Sequence, residues 1–99
     1  IGGTVVDASA NVEAAHALTQ GEGITIAVID DGFDIDHPEF AGAGKLVAPR
    51  DATERSADPR PKDPFGTGRD NGENHGTCCA GVACAAGVGG ASGVAPRAR

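Results

Sequence analysis

The stretch "GITIAVIDDG", Gly23 to Gly32, decides how the chain folds. Ile24 to Ile29 are all apolar or threonine, with no polar alternation. An unbroken β-branched run of this length predicts a strand buried on both faces, as in a parallel sheet. Asp30 and Asp31 follow at once, so the strand delivers carboxylates to its C-terminal end. Ligands of open α/β sheets collect at that rim.

The flanking segments fit an α/β order. "NVEAAHALTQGEG" (Asn11 to Gly23) predicts a helix: Asn11 is a candidate cap, Val12, Ala15 and Leu18 share a face, and Gly21 and Gly23 stop it. "GKLVAPR" (Gly44 to Arg50) predicts a weaker strand around Leu46 and Val47. Arg50 to Glu73 reads as a long loop, ordered or exposed, rich in Asp, Arg, Lys, Pro and Gly. "GTCCAGVACAAGVGG" from Gly76 predicts a helix of small residues ended by glycines, and "SGVAPRAR" opens a new segment. Helix, strand, strand, loop and helix together predict an α/β class.

With 99 residues the chain suits one small domain or part of a larger one. It has no Trp, Tyr or Met, three Phe and 16 Gly. So few large side chains bury little area, and the core is expected to be completed by another chain or segment. It starts at Ile1 and ends at Arg99, as a processed fragment or an expressed segment does. A net charge of −6 argues against nucleic acid and anionic membrane surfaces and is compatible with cations or basic substrates. No apolar run is long enough to span a bilayer, and no signal peptide is present, which leaves secretion open. Cys78, Cys79 and Cys84 are an odd, clustered set and do not make a disulfide framework. Nor do they form a zinc site with His75: one helix cannot turn Cys84 to the face of His75. Cys78 and Cys84 read as small apolar core residues. His16 and His37 read as structural.

The chemistry rests on two places: Asp30 at the end of its strand, and His75 in "NHGTCCAGVACA" (Asn74 to Ala85) at the start of a helix. A carboxylate that accepts an imidazole Nδ1–H fixes the tautomer and supports the imidazolium formed when Nε2 takes a proton. The hydroxyl nucleophile for such a pair is missing. None of the serines and threonines lies in a nucleophile-elbow or glycine-rich "GTSxA" context.

"GITIAVIDDGFDIDHPEF" resembles the catalytic-aspartate box of subtilisin-like serine proteases, and "NHGTCCAGVACA…SGVAP" resembles their catalytic-histidine box, in the family's order of Asp before His. The resemblance covers most of the chain. It implies that residues 1–99 are the N-terminal portion of one peptidase catalytic domain, with a long acidic loop over 43–74. The implied fold is the N-terminal part of a three-layer α/β arrangement around a parallel sheet. Asp30 then matches the triad aspartate and His75 the triad histidine. The serine would come from a C-terminal chain or from sequence beyond these residues. "DDG" is similar to the kexin and furin branch, which implies that Asp31 faces substrate and favours basic residues; cyanobacterial calcium-dependent proteases are a second possible relative. Calcium is the implied cofactor. Glu39 aligns with a calcium-ligating carboxylate of the family, although the loop "AAGVGGASG" holds no Asn, Asp or Glu to complete that site. Asp51, Asp58, Asp63, Asp70 and Glu73 offer hard oxygens before His75. Cys79 matches a free cysteine that lies beneath the triad imidazole in some subtilases.

The expected function is therefore a calcium-dependent serine endopeptidase acting on peptides or proteins after arginine. Self-cleavage after Arg99 or an expression boundary would each explain that end. A secreted or periplasmic setting is favoured over others. The rival is a catalytically inactive, calcium-stabilised binding module of the same ancestry.

Overall fold

A computed structural model describes residues 3, 4, 7–62 and 74–99. Its elements are a short helix α1 (Val12–His16), one 3-10 turn (Pro38–Phe40) and helix α2 (His75–Cys84). The strand expected over Ile24–Asp30 does not form as a regular strand, and no ladder forms among the described residues. One pairing begins there. Arg99 N–H donates to Ile24 O at 2.9 Å and Ile26 N–H to Arg99 O at 2.7 Å, which is the hydrogen-bond pattern of a parallel pair. Ile29 stays 95% exposed and Val28 is exposed too. A strand written to be buried on both faces is thus covered only in part by these residues, and the three-layer architecture is not assembled within them.

The small core gathers Phe40, Ala80, Cys84 and Ala98, with Ile26, Phe33 and Leu46 packed against it. Phe33 and Phe40 meet edge to face, ring centroids 4.8 Å apart, and supply most of the bulk in a core otherwise built of small side chains. Helix α2 lies over this cluster through Ala80 and Cys84. The C-terminal segment holds the helix exit. Val94 and Ala95 N–H donate to Val82 and Ala83 O, and Gly93 N–H to Ala85 O. Carbonyls that a helix end leaves without partners are thereby satisfied. Lys45 Nζ ties the other side of that segment, donating to Pro96 O and Ala98 O at 2.8 and 2.7 Å. An open cleft of about 740 Å³ lies between the 25–33 segment and residues 45–54, with Ile26, Val28, Leu46 and Val47 among its walls.

Two local expectations change. The first helix stops at His16, not near Gly23, because Thr19 and Glu22 bind the backbone themselves. Gln20 N–H donates to Glu22 Oε2 and Gly21 N–H to Thr19 Oγ1, competing with helical bonds. Leu18 falls beyond the helix and is 88% exposed. Asn11 takes a left-handed conformation (φ 56°) and makes no side-chain cap bond. The weaker strand around Leu46 and Val47 does not form; Leu46 packs on the core and Val47 is exposed.

Candidate active site

Four hydrogen bonds fix α2 against the end of the apolar run and the residues just after it. Asp30 presents both carboxylate oxygens to His75 Nδ1, each at 2.9 Å. One residue on, Asp31 Oδ1 accepts the Gly76 N–H at 2.9 Å. Both pairs are separated by 45 residues, so adjacent carboxylates dock on adjacent residues of the first helical turn. The bond from Gly76 is charge-assisted and meets the positive end of the helix. Thr77 Oγ1 then accepts the Asp34 N–H at 3.0 Å. Gly76 is demanded by this closeness: a Cβ there would collide with Gly32 O and come within 2.9 Å of Asp30 Cβ.

The electrostatics of the pair follow from its contacts. Asp30 also accepts its neighbour Asp31's N–H at 2.8 Å. That backbone bond, and then the one from His75, hold its carboxyl below the usual aspartate range. The same carboxylate pushes the His75 imidazole above its ordinary value, first through the hydrogen bond and then through charge. The Asp30 side chain is 20% exposed and that of His75 71%. The carboxylate is thus tucked in while the imidazole stands out toward solvent with Nδ1 engaged. Cys79, one turn along α2, sets its Sγ 3.5 Å from Nδ1 and 3.8 Å from Nε2. Burial, then the Asp30 charge, raise the Cys79 thiol, which keeps it protonated and poor as a nucleophile.

Other residues singled out by sequence fall in different places. Glu39 lies in the 3-10 turn, and its carboxylate accepts three backbone N–H groups: Gly87 at 2.6 Å, Val88 at 3.1 Å and Gly89 at 2.6 Å. Asp51 opens a turn closed by a mutual pairing with Ser56. Its carboxylate accepts the Thr53 and Glu54 N–H groups and the ammonium of Lys62 at 2.8 Å. Asp58 Oδ1 accepts from Arg60, which also pairs with Asp36. Asp63, Asp70 and Glu73 lie outside the described residues. His16 Nε2–H donates to Val94 O, and His37 Nδ1 accepts the Glu39 N–H; both are structural in this sense. Cys84 is buried with its thiol on Ala80 O, whereas Cys78 is exposed on α2 and does not join the core.

Among the described residues, one group of donor atoms gathers closely enough to hold a metal: Asp30, His75 and Cys79, within 4.8 Å of one another. The hydrogen bond from imidazole to carboxylate already accounts for two of them.

Sequence reasoning missed the docking of Asp31 and Thr77. Part of a signal was available: "DD" and "HG" set adjacent residues 45 apart, whereas the Asp34–Thr77 bond uses a backbone N–H that no letter marks.

The family profile described as "Subtilase family" matches residues 21–99. The chain is 56% identical over its full length to a protein named "Calcium-dependent protease" from Trichormus variabilis, and 54% identical to one of the same name from Nostoc sp.. It spans 14% of the length of each. Human "Furin" is 38% identical over 85% of the chain, which covers 10% of furin. The profile takes in Asp30 and the whole of α2 (His75–Cys84), and on that ground the chain belongs to the subtilase family.

Proposed function

We propose that this chain contributes the aspartate and histidine of an Asp-His-Ser triad to a serine endopeptidase. The observation that carries the reading is the placement of His75: Nδ1 engaged by both oxygens of Asp30 at 2.9 Å, with the ring otherwise largely exposed. With Nδ1–H donated to Asp30, Nε2 carries the lone pair and is the basic atom. It takes the proton from an attacking serine hydroxyl, and the tetrahedral adduct forms at the peptide carbonyl. The imidazolium, stabilised by Asp30, then protonates the leaving amine. Water repeats the sequence on the acyl-enzyme. The serine belongs to a C-terminal chain of the same protease or to sequence beyond Arg99. The open apolar cleft beside Ile26 and Val28 supports a core completed in that way.

Asp31 is the residue proposed to favour arginine or lysine beside the scissile bond. One of its oxygens holds Gly76, and its side chain sits at the same rim as His75. Calcium is the proposed cofactor, in line with the names of the cyanobacterial relatives. Asp51, Asp58 and Asp63 supply hard oxygen ligands of the kind calcium takes. At Asp51 and Asp58 the described partners are Lys62 and Arg60, which a metal would have to displace. Self-cleavage after Arg99 requires that segment to lie extended in a cleft. The pairing of Arg99 with Ile24 and Ile26 weighs against it in this conformation.

The test uses the complete polypeptide that carries this sequence. A fluorophosphonate, which reacts only with an activated serine, should label it, and His75→Ala should abolish labelling while the protein stays folded. Absence of labelling in the unaltered protein, with peptides ending in arginine also left intact, would assign the chain to the inactive binding module instead.

A further inference from the structure

Glu39 sits where the family resemblance implies a calcium ligand, yet its surroundings are those of an anion. Gly87, Val88 and Gly89 turn three successive N–H groups onto its carboxylate, at 2.6, 3.1 and 2.6 Å. Both oxygens are used: Oε2 by Gly87 and Val88, Oε1 by Gly89. Ala86 N–H adds a bond to the Glu39 main-chain carbonyl at 3.3 Å. A calcium ion needs six to eight oxygens around it. Two carbonyls of this stretch are already engaged within the chain: Gly87 O accepts from Gly90 N–H, and Ala85 O from Gly93 N–H. A cation placed at Glu39 would meet the positive ends of peptide dipoles. Consecutive N–H groups that converge in this way form a concave anion site.

The sequence explains why the loop can close so tightly. Gly87 and Gly90 adopt φ of +93° and +97°, which side chains rarely take. A Cβ on Gly89 would stand 3.2 Å from Glu39 Oε1. The run "GVGG" therefore lets the backbone itself reach the carboxylate, and "AAGVGGASG" has no acidic or amide side chain to assist a metal. These bonds also hold the Glu39 carboxyl below its usual range, the bond from Gly89 contributing most.

We propose that Glu39 is a metal-free staple: its carboxylate takes the loop amides of Gly87, Val88 and Gly89 in place of a calcium ion, and so anchors the exit of α2. The anchor joins the segment that carries Asp30 to the helix that carries His75, at the end remote from the Asp31–Gly76 bond.

The experiment counts calcium ions per molecule at saturation, and reads amide exchange in residues 87–89, for the complete polypeptide and for its Glu39→Gln variant. The count should be unchanged. Exchange at those amides should rise by about tenfold or more, since neutral amide bonds are weaker than those to a carboxylate. Glu39→Asp keeps the charge and any metal affinity but is one methylene too short to span all three amides. It should show the same faster exchange and serves if the glutamine variant does not fold. The unaltered protein gives a third reading. As calcium is withdrawn stepwise, exchange at 87–89 should not rise ahead of exchange within α2. Loss of one bound calcium in the glutamine variant would overturn the staple. So would unchanged exchange in both, or an early rise at 87–89 on calcium withdrawal.

Discussion

Asp30 and Glu39 lie nine residues apart on one segment, Asp30 bound to the first residue of α2 and Glu39 to the loop just after it, yet they do different things. Asp30 faces a side chain that titrates; Glu39 faces backbone amides that do not. A carboxylate opposite an imidazole can pass its influence to a moving proton. A carboxylate opposite peptide N–H groups can only hold them. The type of residue is nearly the same, and the donor decides the role. Folding energetics tell the two apart by pH. Glu39 is held below its ordinary value, so its contribution is full above the unperturbed 4.5 and is lost as pH falls through the lowered folded value. His75 is raised, so the stability gained from pairing it is full below the unperturbed 6.5 and disappears as pH rises through the raised value.

The largest expected effect comes from exchanging the donor logic at Asp30. Asp30→Asn keeps shape and loses the charge that orients and supports the imidazolium. In the complete polypeptide, kcat on an arginine peptide should fall by about 10⁴, the scale found when a triad aspartate alone is removed. The acid limb of kcat/KM should also move to lower pH, because the carboxylate is what raises His75. A variant with a large share of normal activity, or an acid limb that stays in place, would show that Asp30 does not govern the histidine.

Next in size is the thiol beneath the ring. Cys79 Sγ touches both imidazole nitrogens, so a mercury atom bound there would crowd the proton-transfer atom. Saturating mercurial should remove most of the peptidase activity. Cys79→Ser should confer resistance, whereas Cys78→Ser should not, although Cys78 is the more exposed thiol. Resistance conferred by the Cys78 change instead would move the sensitive site off the imidazole.

How far the sequence reached follows the same division. Asp30 and His75 were legible because each sits at an element end: the C-terminal end of an apolar run and the first position of a helix. Their meeting is enforced by neighbours in sequence, Asp31 with Gly76 and Asp34 with Thr77. The contacts of Glu39 were not legible, because backbone N–H groups have no letter in the sequence; only "GVGG" hints that main chain will come close. The run "ITIAVI" read as a demand for strand partners. Among the described residues only Arg99 pairs with that run as a neighbouring strand would, and no sheet forms there. The end of α1 escaped the apolar periodicity because Glu22 and Thr19 take the Gln20 and Gly21 N–H groups for themselves.

The smallest effect belongs to the acidic turn at Asp51, and it sharpens the comparison most finely. There the carboxylate faces a mixed set: two fixed N–H groups and one displaceable ammonium, Lys62 Nζ at 2.8 Å. The ammonium holds Asp51 below its usual range, its bond being the largest cause. Unlike the amides around Glu39, Lys62 can leave, since its side chain is 51% exposed. A calcium ion at Asp51 and Asp58 would have to compete with it. Lys62→Ala removes the competitor and a positive charge, so calcium should bind about threefold more tightly, a modest gain because exposed ion pairs are weak and screened. Thermal stability without calcium should drop by about 2 °C or less, for the same reason. The gain should shrink as salt rises. Calcium affinity that is unchanged or weaker in the variant at low salt would take the metal away from this turn. The lysine would then play at Asp51 the part that the loop amides play at Glu39.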